Sequence, residues 1–271
     1  MLRLPDIDSK IRELKSTAEA YGQNLSVIML TALWQFALNM MGKTSGDPKI
    51  VGGEAIDNHI LEKAKSGKNP HLIFWIRLCT LEAAYILCDY DMAEKYIDAA
   101  RWIYESSSGA MDGGRAVFLE CLVLLAQARR GKRRFRILRH VKKRLKMLKL
   151  WAMHAPDNYL PMQYLLEAEV AFIRGDRQKA TAHYRTAILH SRETGFLLDE
   201  SLANERLGRS YLEWKDTKSA MPFLEEARRC YLHWGGVVKV QHLDDEFGDM
   251  IDYQSPIIRG DTVVAERSSF L

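Results

Sequence analysis

LLEAEVAFIRGDRQKATAHYRTAILH at residues 165–190 and ERLGRSYLEWKDTKSAMPFLEEARRC at residues 205–230 decide the fold. Laid over one another at an offset of 40, they put Ala168, Ala171, Ala180, Tyr184 and Ala187 on Gly208, Tyr211, Ala220, Leu224 and Ala227. Each line holds two stretches of helical apolar spacing joined by a short polar turn, Gly175-Asp176 in the first and Lys215-Asp216 in the second. Small side chains let one helix approach the other, and the bulky residue between them fills the remaining gap. Leu81, Ala84, Ala93, Ile97 and Ala100 fit the same template upstream.

Working outward, the apolar pattern is helical nearly throughout. Helices are expected at about 7–20, 24–41, 54–66, 70–88, 91–106, 114–130, 133–154, 159–174, 177–194, 199–214 and 217–234, with no clear strand. Small/large/small anchors recurring in helix pairs resemble the tetratricopeptide repeat (TPR), so the expected fold is all-α, a TPR-like antiparallel helix-pair superhelix. The offset of 40 exceeds the usual repeat of about 34, which implies longer helices. Pro222 should bend the last of them or shift its start. Gly42–Gly53 is irregular, and Ser255-Pro256 opens a loose tail. The expected division is an N-terminal helical segment at 1–53, a repeat domain at 54–247 and a tail at 248–271.

Composition agrees with this. The 271 residues are 47% apolar, ample for a core, while 17 glycines and 7 prolines are few for an all-β chain. Four cysteines without a CxxC pair read as small core residues of a reduced compartment. Asp6, Asp8, Glu13 and Glu19 suit neither a secretory signal nor a transit peptide. Ala20–Gly42 is uncharged and long enough to span a bilayer, but Thr31, Gln35 and Asn39 make a polar stripe along it, which favours a core helix. The expectation is a cytoplasmic protein without a membrane span.

Charge is uneven. Arg129–Lys149 holds twelve Lys or Arg and no acid, while the remainder carries 27 basic against 35 acidic residues, so the net +4 is the sum of +12 and −8. The candidate polyanion patch is Arg133, Arg134, Arg136, Arg139, Lys142, Lys143, Arg144 and Lys146. Leu138, Val141, Leu145, Leu148 and Ala152 make an apolar stripe in the same helix. Leu138, Leu145 and Trp151 also stand at relative positions 1, 8 and 14, as in some calmodulin targets. Nucleic-acid phosphates, anionic lipid and an acidic protein groove are the partners this helix could meet. The alternative is a repeat helix with its stripe in the core and its charges in water.

In a stacked superhelix the first helix of each pair lines the concave face. That places Trp75, Leu78, Glu82 and Tyr85, then Met162, Leu165, Glu169 and Phe172, then Leu202, Glu205, Arg209 and Leu212 on one surface. The candidate peptide groove is Trp75, Glu82, Tyr85, Met162, Glu169, Phe172, Glu205 and Arg209, suited to an amphipathic or extended peptide. Catalytic signatures do not assemble. Ala37–Thr44 matches a relaxed phosphate loop, but a helix precedes it and Gly46-Pro48 follows, so Gly42 reads as a helix C-cap. Asp244, Asp245 and Glu246 read as a solvated helix end, the eight histidines show no metal spacing, and no nucleophile elbow is present. No catalytic residue, cofactor or metal is expected.

Particular segments then become recognisable: His154-Ala155-Pro156-Asp157-Asn158, Leu166-Glu167-Ala168-Glu169, Glu200-Ser201-Leu202-Ala203-Asn204-Glu205, Tyr211-Leu212-Glu213-Trp214 and Cys230-Tyr231-Leu232-His233-Trp234-Gly235, then Val238–Leu243. In this order they resemble the helical region of large multidomain ATPase signalling proteins. Those run from a serine/threonine kinase-like domain through an AAA-type NTPase and a TPR-like superhelix to GAF and histidine-kinase domains. Leu38–Lys43 and Asp89–Ala93 have counterparts there too. The resemblance covers roughly residues 10–247 and is strongest over 151–243. It implies a non-catalytic relay or docking module for protein partners, NTPase or kinase domains among them, or the regulatory portion of an enzyme encoded elsewhere. The basic block departs from that family's pattern, in which the corresponding helix is mixed in charge.

Overall fold

A computed structural model describes residues 3–50, 70–106 and 112–250. The expected helix at 54–66 and the expected tail beyond residue 250 lie outside the described residues. Twelve helices occur among them: α1 (Leu4–Ala20), α2 (Asn24–Met40), α3 (Pro70–Ile86), α4 (Tyr90–Lys95), α5 (Ile97–Ser106), α6 (Asp112–Arg129), α7 (Arg134–His154), α8 (Pro156–Ile173), α9 (Arg177–Thr194), α10 (Leu197–Glu213), α11 (Thr217–Trp234) and α12 (Val237–Phe247). No strand occurs among the described residues.

Local chemistry sets the boundaries. Asp89, Asp176 and Asp216 are N-caps whose carboxylates accept the backbone N–H of Met92, Lys179 and Ser219 at 3.0–3.1 Å. Gly42 ends α2 at φ +68, with Lys43 N–H bonding Leu38 C=O at 2.9 Å. That six-to-one closure is a glycine C-cap, and the described residues that follow, 43–50, are not helical. The expected helix at 91–106 is broken at Tyr96, where φ −105 and ψ 6 separate α4 from α5. Helix α12 was not expected. Pro222 lies inside α11 without displacing its start from Thr217.

Packing follows the small/large/small template. All fifteen anchor positions are buried. The most closely packed neighbours are α10 with α11 and α8 with α9. At Gly208 a Cβ would sit 2.7 Å from Leu224 Cγ, so this crossing admits no side chain.

The chain closes on itself. Helix α2 packs on α3 and also meets α12, with Phe36 and Trp234 ring centroids 6.3 Å apart. Pro5 and Leu4 at the start of α1 lie against Gly235. Leu4, Ala32, Ala37 and Met40 belong to one apolar cluster with α3 through α12. Helix α6 is enclosed: Val117, Phe118, Leu119, Cys121, Leu122 and Val123 are each at most 1% exposed. A helix buried on every side in this way belongs at the centre of a domain.

The polar stripe of α2 faces inward and is used. Asn39 Nδ2 donates to Ile50 C=O at 2.8 Å, while its Oδ1 accepts from Gln35 Nε2 at 2.6 Å and Thr44 Oγ1 at 2.9 Å. Residues 41–50 are thereby pinned to the helix. No helix among the described residues is long and apolar enough to cross a membrane.

Candidate interaction surfaces

Half of the expected concave groove is interior. Trp75, Tyr85, Glu169 and Glu205 are buried and cannot meet a peptide. The correction follows from ring closure: α3, α6, α8 and α10 meet through their side chains instead of flooring an open face. Glu82 accepts from Arg115 Nε at 2.8 Å, and Arg115 NH1 reaches Asp199 at 2.6 Å, joining α3, α6 and α10. Met162 and Phe172 are half-buried against the core. Phe172 also lies beneath the Arg129 guanidinium, 3.5 Å from its ring centroid.

Two buried ion clusters take the place of a groove. In the first, Glu169 accepts from Arg129 Nε at 2.8 Å, Arg206 Nε at 2.7 Å and Tyr184 OH at 2.7 Å. Burial alone would raise the Glu169 carboxyl, but the two guanidiniums more than offset it and hold the pKa at about 2. In the second, Glu205 accepts from Lys239 Nζ at 2.7 Å, Arg209 Nε at 2.8 Å and Tyr231 OH at 2.9 Å. Its carboxyl is also lowered against the pull of burial, chiefly by Lys239 and Arg209. Arg209 thus serves inside the fold, and its outer nitrogens hold Glu246.

A cavity of about 390 Å³ opens beside these clusters, lined in part by Arg129, Arg130, Arg206 and Arg209. Its arginines are engaged by Glu169, Glu213, Asp91, Glu205 and Glu246. The carboxylates of Glu200 and Glu226 and the Cys230 thiol lie close enough to hold a cation. Arg192 and Arg229 already neutralise those carboxylates, and burial pushes the thiol up, away from the thiolate a metal needs. Asp244, expected at a solvated helix end, is bridged to Arg228 at 2.6 Å.

The basic block divides cleanly. Arg129, Arg130, Lys132, Arg144 and Lys149 each bind a carboxylate: Glu169, Asp91, Glu94, Glu120 and Glu167 respectively. Arg144 is therefore removed from the candidate patch: its Nε lies 3.0 Å from the wholly buried Glu120, which also accepts from Arg101 and contacts His140. Arg133, Arg134, Arg136, Arg139, Lys142, Lys143 and Lys146 are exposed and pair with no carboxylate among the described residues.

Helical spacing puts Phe135, Arg139, Lys142, Lys146, Leu150 and Met153 along one outward side of α7. Phe135 is 89% exposed, Met153 78% and Leu150 54%. The opposite side buries Ile137, Val141, Leu145, Leu148 and Ala152. Leu145 is therefore committed to the core, and Leu138 and Trp151 pack against it, so the calmodulin-target spacing is not displayed.

Beside α7 lies a groove of about 560 Å³, lined by Leu138, Tyr164 and Val170 together with Gln163, Glu167 and His183, and by the cations Lys142, Arg174 and Lys179. Arg115, Arg206 and Lys239, which bind the buried carboxylates, gave no warning in the sequence, since their partners stand 33, 37 and 34 positions away. Comparisons with protein-family models, with characterised proteins and with solved structures return no match to this chain.

Proposed function

We propose that the chain is a non-catalytic interaction module, a TPR-like scaffold that presents the outward side of α7 to a polyanionic partner. The seven unpaired basic side chains, Arg133 at the N-cap and six within α7, support this reading. Away from α7, Arg101, Arg115, Arg129, Arg192, Arg206, Arg209, Arg228 and Arg229 each hold a carboxylate. Seven unpaired cations in a stretch that holds no acid give this helix a local field that attracts anions. The enclosed core directs the interaction to this outer surface.

Retention on immobilised heparin across a sodium chloride gradient tests the reading. The wild-type chain should bind and elute as salt screens the contact. A variant with all seven residues changed to Gln should elute in the void with an unchanged far-UV circular dichroism spectrum. Equal retention of the two proteins, or no retention of the wild type, removes the proposal.

A further inference from the structure

The groove between α7, α8 and α9 points to one kind of partner. We infer that it receives an acidic amphipathic peptide helix, an inference that rests on the polyanion-binding reading of α7 and names its ligand. Lys142, Arg174 and Lys179 are exposed and pair with no carboxylate among the described residues. The acids of the same groove are engaged. Glu167 holds Lys149 at 2.6 Å, with His183 Nδ1 3.7 Å away, and Asp176 caps α9. The positive end of the α9 dipole at the same edge is taken up by the Asp176 carboxylate, so the surplus is carried by Lys142, Arg174 and Lys179.

Shape and floor separate the candidate partners. A bilayer surface is flat and leaves a concavity of about 560 Å³ empty. A nucleic-acid backbone would satisfy the three cations but would set phosphates against Leu138, Tyr164 and Val170 without replacing the water over those carbons. An amphipathic helix does both: its apolar side chains cover the half-buried Leu138 and Val170, and its flanking carboxylates meet Lys142, Arg174 and Lys179. Charge at the edge then steers encounter, and the carbon floor selects the helical register.

Fluorescence anisotropy on the full chain tests the assignment. The probe is a labelled synthetic peptide of about 16 residues with leucines at i, i+3, i+4 and i+7 and glutamates elsewhere. Its control has the same composition with the leucines dispersed around the helix. The amphipathic peptide should bind about tenfold tighter than the control, a difference of roughly 1.4 kcal/mol.

Lys142→Glu with Arg174→Glu and Lys179→Glu should weaken it tenfold or more, by about the cost of several lost charge contacts. Val170→Gln should weaken it a few-fold. Arg139→Gln with Lys143→Gln and Lys146→Gln, none of which lines the groove, should change it less than about twofold. The groove assignment is overturned if the two peptides bind equally, or if the second triple variant abolishes binding while the edge variant does not. If neither peptide binds but heparin retention persists, the groove assignment alone falls. Loss of heparin retention in the wild type removes the underlying reading as well.

Discussion

Glu169 shows what closure of the ring does to a single side chain. It was expected on an open concave face, yet its carboxylate lies between Arg129 and Arg206 at under 3 Å and is 1% exposed. Replacing it with Gln keeps the shape but leaves two buried guanidiniums facing a neutral amide. Glu169→Gln should therefore cost about 3–5 kcal/mol in chemical denaturation at neutral pH. The acid limb of the stability curve should change too. With its pKa near 2 in the fold, against 4.5 ordinarily, Glu169 refuses a proton that the unfolded chain accepts. Stability from this group is full above about pH 4.5 and drains away as the pH falls toward 2. The Gln variant should lose less stability over that window, keeping only the slope contributed by Glu205 and other carboxylates. Parallel wild-type and variant curves across it would contradict the account.

At the scale of the element, the repeat anchors were legible in the sequence because they act locally. Ala168, Ala180, Gly208 and Ala220 are small where two consecutive helices cross, and all are buried. Ala168 and Ala180 stand 12 apart, as do Gly208 and Ala220, and the offset of 40 carries one crossing onto the next. Gly208 gives the sharpest test. In an exposed helix, Gly→Ala stabilises by up to about 1 kcal/mol. Here the added Cβ meets Leu224 Cγ and Cδ2 at 2.7 and 2.8 Å, with Ala220 C=O at 3.3 Å behind. Gly208→Ala should instead destabilise by about 1–3 kcal/mol, measured as a shift in denaturation midpoint at constant slope. The breaks were less legible. Nothing in Asp91–Ser106 flags the kink at Tyr96, and Val237–Phe247 carries too short an apolar pattern to separate a helix from a tail. The division of the basic block was hidden as well. Arg144 and Lys143 are neighbours in sequence, and only the position of Glu120 shows which one is occupied.

For the whole molecule, the decisive feature is one that local patterns do not encode. Periodicity specifies pairs of helices, but whether successive pairs leave an open superhelix or meet end to end depends on small angles summed over the chain. Here the two ends of the chain meet: the Phe36 ring lies tilted against Trp234, Pro5 abuts Gly235, and a Cβ at Gly42 would lie 3.5 Å from Val238. In an open repeat array each unit feels only its neighbours, so damage at one end frays that end. In a closed ring the same damage reaches both ends at once. Trp234 is 4% exposed, and Trp234→Ala should cost on the order of 3–5 kcal/mol. Hydrogen exchange read by mass spectrometry should then show α1 and α2 losing protection together with α11 and α12, despite the 176 residues between them. The enclosed α6 should remain the slowest to exchange in both proteins. Loss confined to α11 and α12, with α1 and α2 unchanged, would mean that the ends merely lie side by side.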